Sequence, residues 1–226
     1  GIVCVVALLA LCVVGCTDKP SAQIPFVDQS GRAQLGRHWQ ASGGHWEIVD
    51  GALHSSEAKN EALWLNAHLP RDVEVRFVAW SKSPAVDLKF EIFGNGRDHQ
   101  SGYVVIAAGW NNSTSIIARL REHGRERTPQ RTQTLQTEWR ADPTATQKRY
   151  RKLAERISKR VRLVPNKRYA FRFVRKGNWL ELYLDGALHL RYFDPSPLHG
   201  PHQNRFAFNN WTSAVFFDEL SIKPLD

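Results

Sequence analysis

The chain has 226 residues and a formal net charge of +9, and its three cysteines lie at positions 4, 12 and 16. The roughly 200 residues that follow are enough for one sizeable domain, and they contain no cysteine pair that could form a disulfide. The charge is uneven, because residues 119–176 hold 19 Lys/Arg and 5 Asp/Glu, a net of +14, which leaves −5 for the rest. A basic character therefore describes one segment and not the whole domain.

The first segment is apolar and uncharged over residues 1–15 and stops at Gly15-Cys16. It is too short to span a bilayer and has the length of the apolar region of a signal peptide. The stretch "VVGC" that ends at Cys16 resembles the lipobox of bacterial lipoproteins, which implies cleavage before Cys16 and acylation of that cysteine. An N-terminal buried strand or helix is the alternative.

A lipidated tether over residues 16–34 and a domain over 35–226 follow from the lipobox interpretation. Each acyl methylene buried in a membrane contributes about 0.8 kcal/mol, so several chains on Cys16 would anchor the protein firmly. Thr17 stands where an Asp, in lipoproteins of this type, often signals retention in the inner membrane. We therefore expect a cell-envelope location, on the outer membrane of a Gram-negative cell.

Short strands separated by turns make up most of the domain. Residues 45–55, "HWEIVDGALHS", predict a hairpin around Asp50-Gly51, a strong turn pair. Strands at 72–81 and 86–94 alternate between apolar and mixed faces, with Phe77 and Phe90 among the apolar residues and Phe93 on the mixed face. Further strands are predicted within 62–69, 102–109, 114–122, 168–194, 205–211 and 215–225. This spacing indicates an all-β jelly-roll sandwich of two antiparallel sheets.

Residues 125–160 interrupt the strand pattern and are predicted as a basic insertion with one amphipathic α-helix near 143–160. Asp142 is placed to cap this helix and Pro143 suits its first turn. Its apolar stripe would consist of Tyr150, Leu153, Ala154, Ile157 and Val161. The basic face is either solvated or directed at an anionic surface of lipid or glycan. Nucleic acid is not expected as a partner, because no stacking aromatics interleave with the basic residues.

Several stretches resemble concanavalin A-like lectin/glucanase (LamG-like) domains, and most closely the 3-keto-disaccharide hydrolase-like bacterial lipoproteins. The resemblance covers about residues 38–124 and 161–226 and leaves the insertion without a counterpart. It implies a carbohydrate ligand on the concave face of one sheet, held by aromatic faces, amides and charged groups. It is carried by these stretches: Trp46 to His54, "DLKFEIFGNGRDHQSGYVVIAAGWNNSTSIIARLREHG", "WLELYLDG", "PLHGPHQNRFAFNNW" and "VFFDELSIKPL".

Asp87, Lys89 and Glu91 share one face of a predicted strand. Family 16 glucanases on this fold carry Glu-x-Asp-x-Glu there, so this chain departs at the first and central positions. The outer Cα atoms of such a strand are about 13 Å apart, whereas a retaining pair needs its carboxyl groups about 5–5.5 Å apart. A polar strand that faces sugar and a solvated ion-pair strand are both favoured over glycosidase chemistry.

Two clusters of amides and tryptophans are candidates for sugar contacts, namely Trp110-Asn111 and Asn210-Trp211. For each cluster the alternative is a turn, because Asn tolerates left-handed backbone geometry and caps turns with its own amide. The resemblance places the first cluster at the mouth of a sugar site.

A histidine–carboxylate pair is the remaining candidate. Arg119, Arg121 and His123 would point the same way if their strand continues, and His99 and His202 lie in loops. From the hydrolase resemblance, Glu91 and His123 are assigned proton transfer and Arg119 a hydroxyl or oxyanion contact. No close His/Cys/Asp spacing supports a metal site, and no cofactor is expected.

The sequence therefore predicts a lipid-anchored envelope protein that binds carbohydrate. A hydrolase or lyase that acts on modified (3-keto) sugars or glycosides is the first alternative, and a noncatalytic structural envelope protein is the second.

Overall fold

The structure, a computed structural model, describes residues 20–28 and 31–226. The predicted signal peptide and Cys16 lie outside the described residues. Within these ranges no helix is long and apolar enough to cross a membrane.

Most of the described chain forms strands of two sheets. In chain order the strands are β1 (Phe26–Asp28), β2 (Trp39–Ala41), β3 (Glu47–Val49), β4 (Ala52–Ser55), β5 (Leu63–Leu65), β6 (Val73–Ser81), β7 (Leu88–Gly94), β8 (Tyr103–Ala108), β9 (Thr114–Arg119), β10 (Arg125–Glu126), β11 (Glu155–Arg160), β12 (Tyr169–Lys176), β13 (Trp179–Leu184), β14 (Ala187–Phe193), β15 (Arg205–Asn209) and β16 (Val215–Pro224). Two helices, α1 (Pro129–Ala141) and α2 (Pro143–Tyr150), lie between β10 and β11.

The described strands form two eight-stranded sheets that pack face to face. Sheet A has the order β14-β13-β12-β6-β16-β4-β3, with β1 paired to the far part of β16. Sheet B has the order β10-β11-β9-β8-β7-β15-β5-β2. All of these pairings are antiparallel except the short parallel contact of β10 with β11. The predicted all-β jelly-roll sandwich with a small helical insertion is confirmed.

The core between the sheets is built by the alternation that the sequence shows. Phe77 of sheet A is buried and meets the rings of Phe90 and Phe208 of sheet B edge-on, with centroids 5.3 and 5.2 Å away. Phe93 departs from the predicted pattern, since it is also buried in this core. Its backbone has φ 57° beside a register shift in the β15–β7 pairing, and this irregularity reverses the side to which Phe93 points.

The insertion differs from the predicted single helix. Asp142 does cap a helix, because its carboxylate accepts a hydrogen bond from the Ala145 N–H and Pro143 follows it. That helix ends at Tyr150, however, and residues 155–160 form the strand β11. The predicted helical stripe is wrong beyond residue 150 because the edge of β9 offers a hydrogen-bonded ladder, in which Ile157 pairs with Ile117.

A buried polar network attaches the insertion to the sandwich. Arg127 donates from Nε to Glu155 Oε2 at 2.8 Å, and both side chains are almost fully buried. Tyr150 donates to the same carboxylate oxygen at 2.9 Å. Arg127 also donates to the hydroxyl of Tyr192 of sheet A, which ties α2 and β11 to the far sheet.

Candidate functional site

The outer face of sheet B carries the polar side chains that the sequence analysis singled out. Lys89 and Glu91 of β7 point away from the core, while Phe90 between them points into it. Asn209 of β15 lies directly opposite Lys89 and faces the same way. Lys89, Glu91 and Asn209 are nevertheless buried, so loops must cover this part of the face.

A cavity of about 460 Å³ opens on this face, and two tryptophans are part of its lining. We call it the tryptophan cavity. Trp110 and Trp211 are 39% and 51% exposed, which is unusual for so large an apolar side chain. The cavity is lined by Asn60, Ala85, Asp87, Lys89, Ile106, Trp110, Asn111, Glu122, His123, Trp211, Thr212 and Ser213. Of the nine side chains predicted for sugar contact or catalysis, six line it: Asp87, Lys89, Trp110, Asn111, His123 and Trp211.

Trp110 is held at the cavity by a left-handed turn between β8 and β9. Ala108, Trp110, Asn111 and Asn112 all have positive φ between 47° and 60°. Such backbone costs energy for residues other than glycine, so its surroundings must hold it. The side chain of Asn112 supplies part of that hold, because it bonds both the N–H and the C=O of Leu163 at 2.8 Å. The predicted turn is present, and it places Trp110 and Asn111 in the lining of the cavity.

Lys89 forms the floor of the cavity. Its side chain is 3% exposed, and Nζ donates to Asn60 Oδ1 at 2.8 Å and to Glu122 Oε2 at 3.2 Å. The alternative that Lys89 belongs to a solvent-exposed strand of ion pairs is therefore wrong. A buried ammonium with an amide and a carboxylate partner has one further N–H to offer to a ligand oxygen.

Asp87 joins the two walls of the cavity. Its Oδ2 accepts a hydrogen bond from the backbone N–H of Trp211 at 3.0 Å, which fixes the loop that carries this indole. Its Oδ1 lies close to Gly109, where a Cβ would approach that oxygen to 3.1 Å and the Ile106 methyl to 2.7 Å. A larger residue at 109 would therefore push apart the turn and the carboxylate.

Glu91 is sealed beneath the cavity and does not line it. Its side chain has no exposed surface, and Oε1 accepts from His99 Nδ1 and from Asn209 Nδ2, each at 2.6 Å. Oε2 accepts from the backbone N–H of Gln100 at 2.9 Å. The expected partnership of Glu91 with His123 is corrected, because His99 of the β7–β8 loop occupies that place.

His123 lies on the wall of the cavity instead. Its Nε2 is 3.4 Å from Glu122 Oε1, and its ring meets Trp110 edge-on with centroids 5.8 Å apart. The guanidinium of Arg156 from β11 lies over the indole of Trp110, 5.5 Å from the ring centroid, and donates to the Glu122 carbonyl. The insertion therefore contributes a side chain that supports Trp110.

Arg119 and Asn210 have internal roles. Arg119 has no exposed surface and donates from Nε to Asp194 Oδ2 at 2.9 Å and from its other nitrogens to three backbone carbonyls. Asn210 is also fully buried, and its side chain bonds the Ala58 N–H and two carbonyl groups. The expected ligand contacts of both residues are corrected, because neither side chain reaches a cavity surface.

The cavity thus combines two partly exposed indoles, two carboxylates, a buried ammonium, two amides and an imidazole. Aromatic rings pack against flat apolar surfaces, and the polar groups can form hydrogen bonds with hydroxyls. Among residues 20–28 and 31–226 no group of three His, Cys, Asp or Glu side chains is arranged to hold a metal ion.

Comparison with known proteins supports the fold. No family model matches the sequence, and no curated protein matches it. Among solved structures, the carbohydrate-binding module CBM66 of Bacillus subtilis aligns with a TM-score of 0.59 at 14% identity, over 82% of this chain and 95% of that chain. A prokaryotic β-1,3-1,4-glucanase (lichenase) derived from a mouse hindgut metagenome aligns with a TM-score of 0.55 at 11% identity, over 88% and 99%. The chain therefore has the concanavalin A-like lectin/glucanase fold that its sequence resembles.

Proposed function

We propose that the chain binds carbohydrate in the tryptophan cavity. The observation that carries this proposal is the pair of exposed indoles, Trp110 and Trp211, which line one cavity together with polar side chains. The indole faces would pack against the C–H faces of pyranose rings. Lys89, Asp87 and Glu122 would bond the hydroxyls, and a site of buried polar groups rejects ligands that leave them unpaired.

The fold gives this proposal further support. The two similar structures are named as a carbohydrate-binding module and a glucanase, so sandwiches of this shape hold glycans in other proteins. The cavity lies on the outer face of sheet B, and the sequence resemblance implies a glycan on the concave face of one sheet.

Hydrolysis of a glycosidic bond is a second candidate function. It is favoured by Asp87 and Glu122, two carboxylates on the same cavity, since glycosidases use a pair of such groups. A modified substrate, such as a 3-keto disaccharide, is the finer form of this proposal. In it, Asp87 and Glu122 take the place of Glu91, which is sealed beneath the cavity, while His123 stays on the cavity wall.

Truncation of either cavity tryptophan should weaken binding. For Trp211→Ala and Trp110→Ala we expect a loss of affinity on the order of tenfold or more, because each change removes an aromatic face from the cavity wall. The measurement is titration of the full chain in detergent against the glycans that a glycan array selects. Trp139→Ala is the matched control, since Trp139 lies on α1 outside the cavity.

Three results would contradict or redirect this proposal. Equal affinities for all three variants, or no glycan bound by the wild-type chain, would overturn it. Release of products from a bound glycan that stops in Glu122→Gln would establish hydrolysis and not binding alone.

We also propose that the protein is displayed on the cell envelope through a lipid at Cys16. The lipobox-like stretch before Cys16 supports this location. We expect the full-length gene product, grown with a labelled fatty acid in a Gram-negative host, to carry the label and to sediment with outer membranes. The Cys16→Ser variant should lose both properties, and label retained in that variant would refute the anchor.

A further inference from the structure

A second cavity, of about 540 Å³, opens on the same face of sheet B near β5 and β2. We call it the arginine cavity. Register pairs Gln40 with Trp64, Trp64 with Ala207 and Ala207 with Glu91, and directly opposed residues point to the same face. Strand spacing puts the Cα atoms of Trp64 and Lys89 about 12 Å apart. The arginine cavity is therefore a neighbour of the tryptophan cavity.

The loop between β7 and β8 separates the two cavities. His99 and Gln100 of this loop cover Glu91 on the sheet, as described above. Asn95, Gly96 and Arg97 of the same loop form one wall of the arginine cavity. One loop thus closes the middle of the face and shapes the second cavity.

The charges of the two cavities differ. The tryptophan cavity holds charges of both signs, with Lys89 beside Asp87 and Glu122. The side chains that line the arginine cavity include Arg97, Arg205 and His202 and no aspartate or glutamate. A concave surface lined by charge of one sign concentrates ligands of the opposite sign. Guanidinium groups bind planar carboxylates with two parallel hydrogen bonds.

Arg97 can exchange its present partner for a ligand. It contacts Asp98 of the same turn at 3.1 Å, and the two side chains are 80% and 54% exposed. An ion pair this exposed contributes little, so a carboxylate in the cavity can compete with Asp98 for the guanidinium.

Trp64 adds a second feature to this cavity, an indole with a donor that is unpaired among the described residues. It lines the cavity, yet its side chain is almost fully buried, and its Nε1 has no hydrogen-bond acceptor within the described part of the chain. Its ring lies over Gly94, where a Cβ would come within 2.5 Å of a ring carbon. A buried donor without an acceptor is costly, so an oxygen-rich ligand that reaches it gains affinity.

From these observations we propose that the arginine cavity binds a carboxylate-bearing sugar, a uronate residue, beside the neutral saccharide in the tryptophan cavity. This inference rests on the proposed function only in taking the ligand to be a glycan. It assigns recognition of the acid group to Arg97, Arg205 and His202, and contact with the sugar to Trp64.

The test uses oligosaccharides of galacturonate, glucuronate and mannuronate, each paired with its carboxyl-reduced form. For at least one acidic oligosaccharide we expect affinity for the full chain to exceed that of the reduced form by about tenfold or more at low salt, and the preference to shrink as salt rises. The double variant Arg97→Gln/His202→Gln should lose most of the preference. Lys167→Gln removes an exposed cation of another surface and should retain it.

The indole ¹⁵N–H resonances of the tryptophans locate each ligand. The acidic oligosaccharide should shift the resonance of Trp64, and a neutral one should shift those of Trp110 and Trp211 alone. Equal affinity for acidic and reduced forms, or an acid preference that survives in the double variant, would overturn the arginine cavity as a uronate site. If neutral glycans still shift Trp110 and Trp211 in that case, the proposed function stands; if no glycan shifts any of the three, both proposals fail. Tighter binding of a sulfated oligosaccharide than of any uronate would contradict the assignment to a carboxylate.

Discussion

The Asp194→Asn variant is expected to lose about 3–5 kcal/mol of unfolding free energy, because it leaves the Arg119 guanidinium charged and unpaired in the interior. Both side chains have no exposed surface. Asp194 Oδ2 accepts from Arg119 Nε at 2.9 Å and from the Tyr103 hydroxyl at 2.5 Å, while Oδ1 accepts from the Ser196 N–H. Asparagine keeps the shape of the side chain but removes the charge. In either orientation its NH2 group faces a donor, namely the Ser196 N–H or the pair formed by Arg119 and Tyr103.

The environment of Asp194 also keeps its neighbour Tyr103 in the neutral form. Burial, and then the charge of Asp194, raise the pKa of Tyr103 well above its usual range, so Tyr103 remains a neutral donor to the carboxylate. The variant therefore replaces the charged common acceptor of two buried donors with a neutral one, and it loosens the link between β9 and the segment after β14.

The measurement is urea unfolding followed by tryptophan fluorescence, with the midpoint and the slope compared between variants. Asp185→Asn is the matched control, since Asp185 also pairs with a cation and accepts from a backbone N–H but is 42% exposed. We expect that control to change stability by less than about 1 kcal/mol. Similar losses in both variants would refute the special role of the buried pair. The double change Arg119→Met/Asp194→Leu should recover part of the loss, because it leaves no unpaired charge.

The sandwich could be predicted from the sequence because its core obeys local rules. Alternation along β6 puts Val75 and Phe77 in the core, and the Asp50-Gly51 pair forms the predicted hairpin turn between β3 and β4. The strand β11 escaped prediction because its residues also fit a helical stripe. Only the open edge of β9, which is distant in the chain, decides between the two structures.

The candidate site could be predicted in part, and the errors have identifiable causes. Arg119 shares its alternation with Ile117, which points into the core, so the sequence did contain the signal that Arg119 is internal. Beyond it, Leu120 has φ 65° and ends the strand, so His123 does not continue the alternation. No sequence pattern predicted Asn60 as a site residue, because its place beside Lys89 depends on a contact between residues that are 29 positions apart.

The Glu91→Gln variant should lose about 2–3 kcal/mol of unfolding free energy and also bind glycan more weakly. An ionised carboxylate only accepts hydrogen bonds, and here it serves three donors at once, from His99, Gln100 and Asn209. Glutamine offers one oxygen and an amide that would face a donor, and hydrogen bonds to a charged group contribute about 1.5–3 kcal/mol each. The exposed Glu57→Gln is the control and should change neither quantity.

Glu91 affects binding through its partners, which makes it a positioning residue and not a catalytic one. The side chain of Gln100, whose own N–H is bound to Glu91, accepts a hydrogen bond from the Glu122 N–H. Asn209 reaches from Glu91 toward the Asn60 carbonyl, and Glu122 and Asn60 are the two partners of Lys89. Loss of the carboxylate should therefore disturb the cavity floor from both sides.

The tautomer of His99 distinguishes this role from direct catalysis. In the wild-type chain Nδ1 must carry the hydrogen that Glu91 accepts, while Nε2 lies 3.8 Å from Glu122 Oε2 without a hydrogen bond among the described residues. We expect ¹⁵N spectra to show His99 with Nδ1 protonated in the wild type and to lose that signature in Glu91→Gln, together with stability and affinity. A variant with native stability, a native His99 spectrum and unchanged affinity, but no turnover of a bound glycan, would instead show that Glu91 acts on the substrate. The two outcomes differ because a positioning carboxylate acts through the groups it holds, so its removal must alter them before it alters anything bound above them.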